Sequence, residues 1–339
     1  MKCCTIYGMS KKNILITGAK GQLGSYLASR FASISQYDES IGQIWGVDID
    51  DFNMTDYDAV DAYLSRDELK SLVFVVHCAA ATNTAAIESR PFDFYSANVL
   101  GARNIAMWCA KHEVRMVFIS TDYVLSELSP VVDGKLQEFP VNQYGLQKLL
   151  AEQLVQSEFK FIPSMCTIVR SSWMFGNSER SFVEKLLASI ALGYQAKTSD
   201  RYVHMVVDDA YGCPTHVETI ADCIHRHVIA LGGGGTIECF SRTKQMTRYE
   251  WATIIWECFK QEVQSLSGVS SSMAAALSSI DIKPCSSPKS MMHHPGKLKT
   301  FTESLAASEG MKNAATSSYI ASNIERLMKM FADSAGITL

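Results

Sequence analysis

Two side chains four positions apart carry the strongest chemical signal in the sequence. Tyr144 and Lys148 stand at i and i+4 in Tyr144-Gly145-Leu146-Gln147-Lys148, which enters an amphipathic stretch. On a helix such positions share one face. A Lys ammonium beside a phenol favours the phenolate and brings the Tyr pKa toward working pH. That pair can move a proton to or from a carbinol oxygen. Upstream, Ser120-Thr121-Asp122-Tyr123 closes an apolar run, and the Thr121 hydroxyl is placed to hold a carbonyl in line. A Tyr-x-x-x-Lys spacing also arises by chance, so its weight comes from its company.

That company is a glycine loop. Thr17-Gly18-Ala19-Lys20-Gly21-Gln22-Leu23-Gly24 follows the apolar run Asn13 to Thr17 and opens the helix-like stretch Gly24 to Phe31. Gly18, Gly21 and Gly24 permit a tight turn, a close approach to a pyrophosphate and close helix–sheet packing. Gln22 and Leu23 sit where backbone N–H groups and the helix dipole would meet the phosphates. The acid at the next strand end is Asp48, with Asp50 and Asp51 behind it. A carboxylate there accepts from both ribose hydroxyls of an adenosine and repels a 2′-phosphate. A solvated acidic loop accounts for at least two of the three. The nearest cation is Lys20, so the reading leans to NAD and leaves NADP open. With a nicotinamide in place, the Tyr–Lys pair becomes the proton side of a hydride transfer.

These groups need elements to position them. Ile44 to Asp48, Val73 to His77 and Val114 to Ser120 read as buried strands, with a helix-like stretch from Ala97 to Lys111. Continuous apolar strands separated by helices call for a parallel sheet covered on both faces. Such sheets bind ligands beyond their carboxyl ends. The expected fold is α/β: a Rossmann-type doubly wound parallel sheet with a smaller α/β substrate lobe. The expected layout is an N-terminal extension over 1–12, a dinucleotide-binding domain over 13–176 and the smaller lobe over 177–339. In that lobe, Phe182 to Leu192, Val217 to Ala230, Tyr249 to Phe259 and Tyr319 to Ala332 read as helices. Val203 to Val207 and Thr236 to Phe240 read as short strands, and the Ser-rich stretch 265–289 as an irregular loop. Thr247 and Glu250 fit a capping box.

Composition sets outer bounds. Thirty-one Lys and Arg against thirty-five Asp and Glu leave a net charge of -4, too mild for a phosphate-backbone binder. At 47% hydrophobic and 19% charged, the chain has a folded protein's balance. No apolar run reaches membrane-spanning length, and Met1 to Met9 is too short for a secretory core. The expectation is a cytoplasmic protein with neither nucleic-acid nor membrane partner. Ten cysteines without a Cys-x-x-Cys pair read as reduced packing residues, and His293-His294 as a loop doublet, so no metal is expected.

The motifs together resemble those of an extended short-chain dehydrogenase/reductase, within it the dTDP-4-dehydrorhamnose reductase family. The resembling segments are Thr17 to Gly24, His77 to Thr82, Asn98 to Gly101, Ser120 to Val124, Tyr144 to Lys148, Arg170 to Gly176 and Gly212 to Thr215. The resemblance implies NADP or NAD as cofactor and a nucleotide-sugar substrate reduced at the 4-keto group of a 6-deoxyhexose. It gives Thr121, Tyr144 and Lys148 the catalytic roles. Ala79 and Ala80 would line the cofactor, Asn98 would support the site, and Thr82, Asp122 and Trp173 would face the substrate. Related sugar-nucleotide dehydratases carry Thr-Asp-Glu where this chain has Thr121-Asp122-Tyr123, so elimination lacks its base.

Two departures fall on the substrate side. The family's Asp-Gln-x-Gly-x-Pro-Thr run is Asp209-Ala210-Tyr211-Gly212-Cys213-Pro214-Thr215 here. The Arg of its late Arg-Pro segment, which holds a diphosphate, is replaced in Ser287-Pro288-Lys289-Ser290, with Lys283, Lys289 and Lys297 as substitute charges. Gln245 to Glu250 and Pro214 to Val217 are similar to the regulatory β subunit of methionine adenosyltransferase. The alternative is thus a non-catalytic NADP-binding subunit whose partner is a methionine adenosyltransferase catalytic subunit. The reductase reading also allows a homodimer. An epimerase, or a reductase of another nucleotide sugar, is the third possibility.

Overall fold

The computed structural model describes residues 11–133, 135–176, 178–179, 181–239, 245–287 and 314–338. The chain forms two compact units that interleave in sequence, where one boundary near residue 176 was expected. The first comprises residues 1–121, 147–170 and 220–239; the second comprises 122–146, 171–219 and 240–339.

The first unit is built on six strands: β1 Lys12–Thr17, β2 Ile41–Val47, β3 Leu72–His77, β4 Arg115–Thr121, β5 Cys166–Ser171 and β6 Gly235–Glu238. Their order is β6-β5-β4-β3-β1-β2, a parallel sheet whose order reverses between β1 and β3. A ligand crevice lies beyond the carboxyl ends at such a reversal. Ile14, Leu15 and Ile16, with Val75, Val76, Val117 and Phe118, are wholly buried, which is why these runs are apolar on both faces. Lys12 opens β1, so only residues 1–10 of the expected extension lie outside the described residues.

Three helices bear on the site, two within this unit and a third that begins in residues of the second unit and continues into the first. α1 Gln22–Ile34 follows the glycine loop and buries Leu23, Leu27, Phe31 and Ile34 at helical spacing. α2 Ala102–Lys111 is preceded by a wider, π-type turn over Ser96–Gly101, where the sequence had suggested one continuous helix from Ala97. α3 Gln143–Glu158 carries Tyr144 in its first turn and Lys148 one turn on.

The second unit has its own core, centred on Trp173, Phe175, Trp251, Trp256, Phe259 and Phe331. Its helices include α4 Phe182–Gln195, α5 Arg248–Ser265, α6 Ala314–Ser322 and α7 Ile324–Ala335. The capping box forms at the start of α5: Glu250 N–H donates to Thr247 Oγ1, and the Glu250 carboxylate accepts from Thr247 N–H. The expected irregular loop over 265–289 is instead a helix, Ser271–Ser278, and a strand, Ile280–Cys285, with 288–289 outside the described residues. Ser270 Oγ caps that helix, and the strand pairs in parallel with Tyr202–Val207. The expected single closing helix is two, α6 and α7. No helix among the described residues is long and apolar enough to cross a membrane.

Candidate active site

The glycine loop is shaped by contacts within the protein. Gly18 has φ +68°, and a Cβ there would lie 2.8 Å from the Ala79 backbone. A Cβ on Gly24 would come within 2.2 Å of the Gly18 carbonyl oxygen. Gly21 is different: its Cβ would meet only that same oxygen, at 3.0 Å. Packing therefore requires glycine at 18 and 24, while at 21 a side chain would meet only one backbone oxygen closely. Gly21 is also the N-cap of α1, with Gln22 and Leu23 in the first turn behind it.

Thr17 and His77 end β1 and β3 side by side, their side chains hydrogen-bonded at 2.8 Å across the reversal point. Ala79 N–H donates to the same Thr17 hydroxyl at 3.4 Å. Burial, reinforced by the Lys148 charge, pulls the His77 pKa down to about 3, so the ring is neutral.

Asp48 faces the loop. One carboxylate oxygen accepts from Lys20 N–H at 2.8 Å, and the other from Ile49 N–H at 2.9 Å. Asp51 accepts from Asp48 N–H, and Asp50 pairs with the exposed Lys20 ammonium. All three acids thus have protein partners, and Asp48 braces the glycine loop.

Asn98 sits in the π-type turn and is nearly sealed from solvent. Its carbonyl oxygen accepts from Ala81 N–H at 2.8 Å, and its amide donates to the Ala81 carbonyl and to Gln147 Oε1. Gln147 in turn donates to the Pro91 carbonyl. Asn98 therefore fixes the strand-end segment that contains Ala79 and Ala80 and ties it to α3. The sequence signalled Asn98 but not Gln147, whose part depends on this tertiary meeting. Thr82, next along, is exposed.

Lys148 is 2% exposed. Its ammonium donates to the Ile119 carbonyl at 2.7 Å and lies 4.0 Å above the Phe118 ring, both on β4 just before Thr121. Burial lowers its pKa to about 8, against an opposing pull from Glu152 and then Cys78. At neutral pH the amine still carries its proton. Tyr144 and Lys148 lie four residues apart on one continuous helix, as the spacing predicted.

In the second unit, Tyr123 meets Tyr144 edge-on, ring centroids 5.9 Å apart. Gly145 makes this approach possible, since a Cβ there would fall 2.1 Å from the Tyr123 carbonyl oxygen. Asp122 is buried, and so is Trp173, which holds an unusual φ of +31°. Gly212 lies flush against the Trp173 ring, so the Gly retained in the altered 209–215 run has a packing reason. Sequence reasoning missed Arg248. Its guanidinium lies 3.6 Å from the Trp173 ring centroid, hydrogen-bonds Tyr123 and is attracted by Asp122. A cation at the first position of a helix opposes the macrodipole, and burial further lowers this one's pKa. That conflict with local preference was the available signal. The late segment from Pro288 onward, with Lys289 and Lys297, lies outside the described residues; Lys283 sits on the strand Ile280–Cys285.

The chain is similar to known proteins. The chain is 29% identical over 242 residues to a dTDP-4-keto-6-deoxy-D-glucose reductase of Streptomyces niveus, covering 70% of this chain and 75% of that one. It is 25% identical over 269 residues, 76% of each chain, to methionine adenosyltransferase 2 subunit beta of Mus musculus. Among solved structures, dTDP-4-dehydrorhamnose reductase from Bacillus anthracis in complex with NADP matches with a TM-score of 0.64 and 26% identity, over 84% of this chain and 88% of that one. The pattern describing the RmlD substrate binding domain matches residues 12–287, and on that match the chain belongs to this family.

Proposed function

We propose that the protein is a nicotinamide-dependent reductase of a nucleotide-linked 4-keto-6-deoxyhexose. The observation that carries this reading is Lys148, a buried ammonium fixed to the Ile119 carbonyl one helical turn from Tyr144 and two residues before Thr121. Its relatives named as dTDP-sugar reductases support the substrate class.

The residues present fit a dinucleotide. Gly18, Gly21, Gln22, Leu23 and Gly24 would hold the pyrophosphate at the start of α1, where the dipole favours anions. Asp48 would reach the adenosine ribose, Ala79 and Ala80 would line the cofactor, and Asn98 would keep that wall in place. NADP is the favoured form, since the Bacillus relative is a complex with NADP. Bound there, the nicotinamide supplies the hydride.

The chain's own residues manage the proton. Tyr144 donates its phenolic proton to the carbonyl oxygen as that oxygen becomes a hydroxyl. The Lys148 ammonium and the α3 N-terminus stabilise the phenolate left behind. Thr121 hydroxyl donates to the same oxygen and fixes its direction. Thr82 and Asp122 contact the substrate, and Trp173, almost wholly enclosed, offers it an edge. The protein acts in the cytosol, where its eight described free cysteines stay reduced.

The test is oxidation of NADPH and NADH by the purified protein with dTDP- and UDP-linked 4-keto-6-deoxy sugars. Tyr144→Phe should lower kcat by about 10²–10⁴-fold and leave cofactor affinity unchanged. Equal turnover in that variant would sink the reading. Cofactor binding without turnover on any sugar would instead favour the non-catalytic subunit reading, the mouse relative being named a methionine adenosyltransferase subunit beta.

A further inference from the structure

Below Lys148 on α3 lies a second charged pair that the proton transfer does not use directly. Glu152 and Arg170 are 2% and 5% exposed. They meet through two hydrogen bonds, Nε to Oε1 at 3.0 Å and Nη2 to Oε2 at 2.6 Å. A buried ion pair of this kind is weak evidence for stability, because desolvation offsets most of its attraction. Its position suggests a different use. Tyr144, Lys148 and Glu152 follow one another at four-residue steps, and Arg170 comes from β5.

We propose that the Glu152–Arg170 pair is a positioning device that keeps Lys148 charged while leaving its ammonium at the Ile119 carbonyl. This rests on the reading of Tyr144 and Lys148 as the proton-transfer pair. Arg170 holds both Glu152 oxygens, so the carboxylate does not swing up to take the Lys148 ammonium for itself. It acts through its field from one turn away. Among the described residues, the other titratable groups facing Lys148 supply no negative charge. His77 is neutral, and burial pushes the Cys78 thiol up to about 12. Phe118 and Ile119 of β4 contribute a ring face and a carbonyl. Glu152 is therefore the one carboxylate that opposes the desolvation of Lys148.

The sign of the effect follows. Removing the Glu152 charge destabilises the protonated amine and favours loss of a proton from the Tyr144–Lys148 pair as a whole. The alkaline limb of the kcat profile should move to lower pH.

The experiment compares the full-length wild type, Glu152→Gln and the double variant Glu152→Gln/Arg170→Met. Phenolate absorbance is titrated alongside kcat, with Tyr144→Phe as the spectral blank. Glu152→Gln should shift both midpoints acidward by about one pH unit, the lower end of the range for a nearby charge. The double variant leaves no unpaired buried ion and should fold as the wild type does. Its midpoints should move in the same direction by a smaller amount. A double variant with wild-type midpoints, whether kcat is unchanged or scaled equally at every pH, would overturn the proposal. If the wild type turns over no sugar, the reductase reading fails; the phenolate titration still reports on Glu152.

Discussion

The two units hold their site residues by different physical means. In the first, side chains reach for backbone: Asn98 grips both polar groups of the Ala81 peptide, Thr17 takes Ala79 N–H, Asp48 takes Lys20 N–H, and Lys148 donates to a carbonyl. In the second, rings hold rings. Tyr123 meets Tyr144 edge-on, Trp251 stacks near Trp173, and Arg248 lies over Trp173 and Phe182. Backbone-directed bonds fix the main chain at these positions directly. Side-chain packing leaves the proposed substrate end open to change by substitution. The departures from the family run at 209–215 fall in the second unit.

The sharpest way to break the contrast is Trp173→Ala. The ring is 8% exposed and packed among other aromatics, so its loss should cost about 3–5 kcal/mol in urea unfolding. Cofactor affinity should be little changed. If stability falls by less than about 1 kcal/mol, Trp173 is not the packing centre described here. Asn98→Ala makes the converse test. It leaves the Ala81 peptide and Gln147 without their partner, for a cost of about 1–3 kcal/mol. Here the dinucleotide Kd should rise along with the loss of stability. An unchanged Kd would mean that Asn98 serves the fold alone.

A third test concerns acid. Folded His77 stays neutral down to about pH 3, whereas an unfolded His takes its proton near 6.5. Between those values the unfolded chain binds more protons, so stability rises with pH and is lost as pH falls. The slope is at most about 1.4 kcal/mol per pH unit. His77→Gln should flatten the fall in Tm between about pH 6 and pH 4. A slope equal to that of the wild type would place the acid sensitivity elsewhere.

What the sequence made legible follows the same division. Glycine spacing, the strand before it and the Tyr–Lys step are local patterns, and each reappears in the fold. Asn98 was found because it stands in a recurring segment. Gln147, Gly145 and Arg248 stayed hidden because their parts depend on neighbours far away in the chain: Asn98, the Tyr123 carbonyl and Trp173. The 265–289 stretch misled for a chemical reason. Serine there signals a loop, but Ser270 is a helix cap. Pro284 signals a break, yet it sits in a strand of a two-stranded ladder, where the sheet tolerates a missing donor.

The sixth strand also bears on how the protein is made. The glycine loop leaves the ribosome early, but Gly235–Glu238, which covers β5, emerges only after most of the second unit's first segments. Until then Thr167 to Arg170 present a bare strand edge, the kind that recruits other chains. A fragment ending before Gly235 would carry every proposed cofactor residue but leave Thr167 to Arg170 without their strand partner, so a shortened form meant to bind dinucleotide should keep residues 235–238.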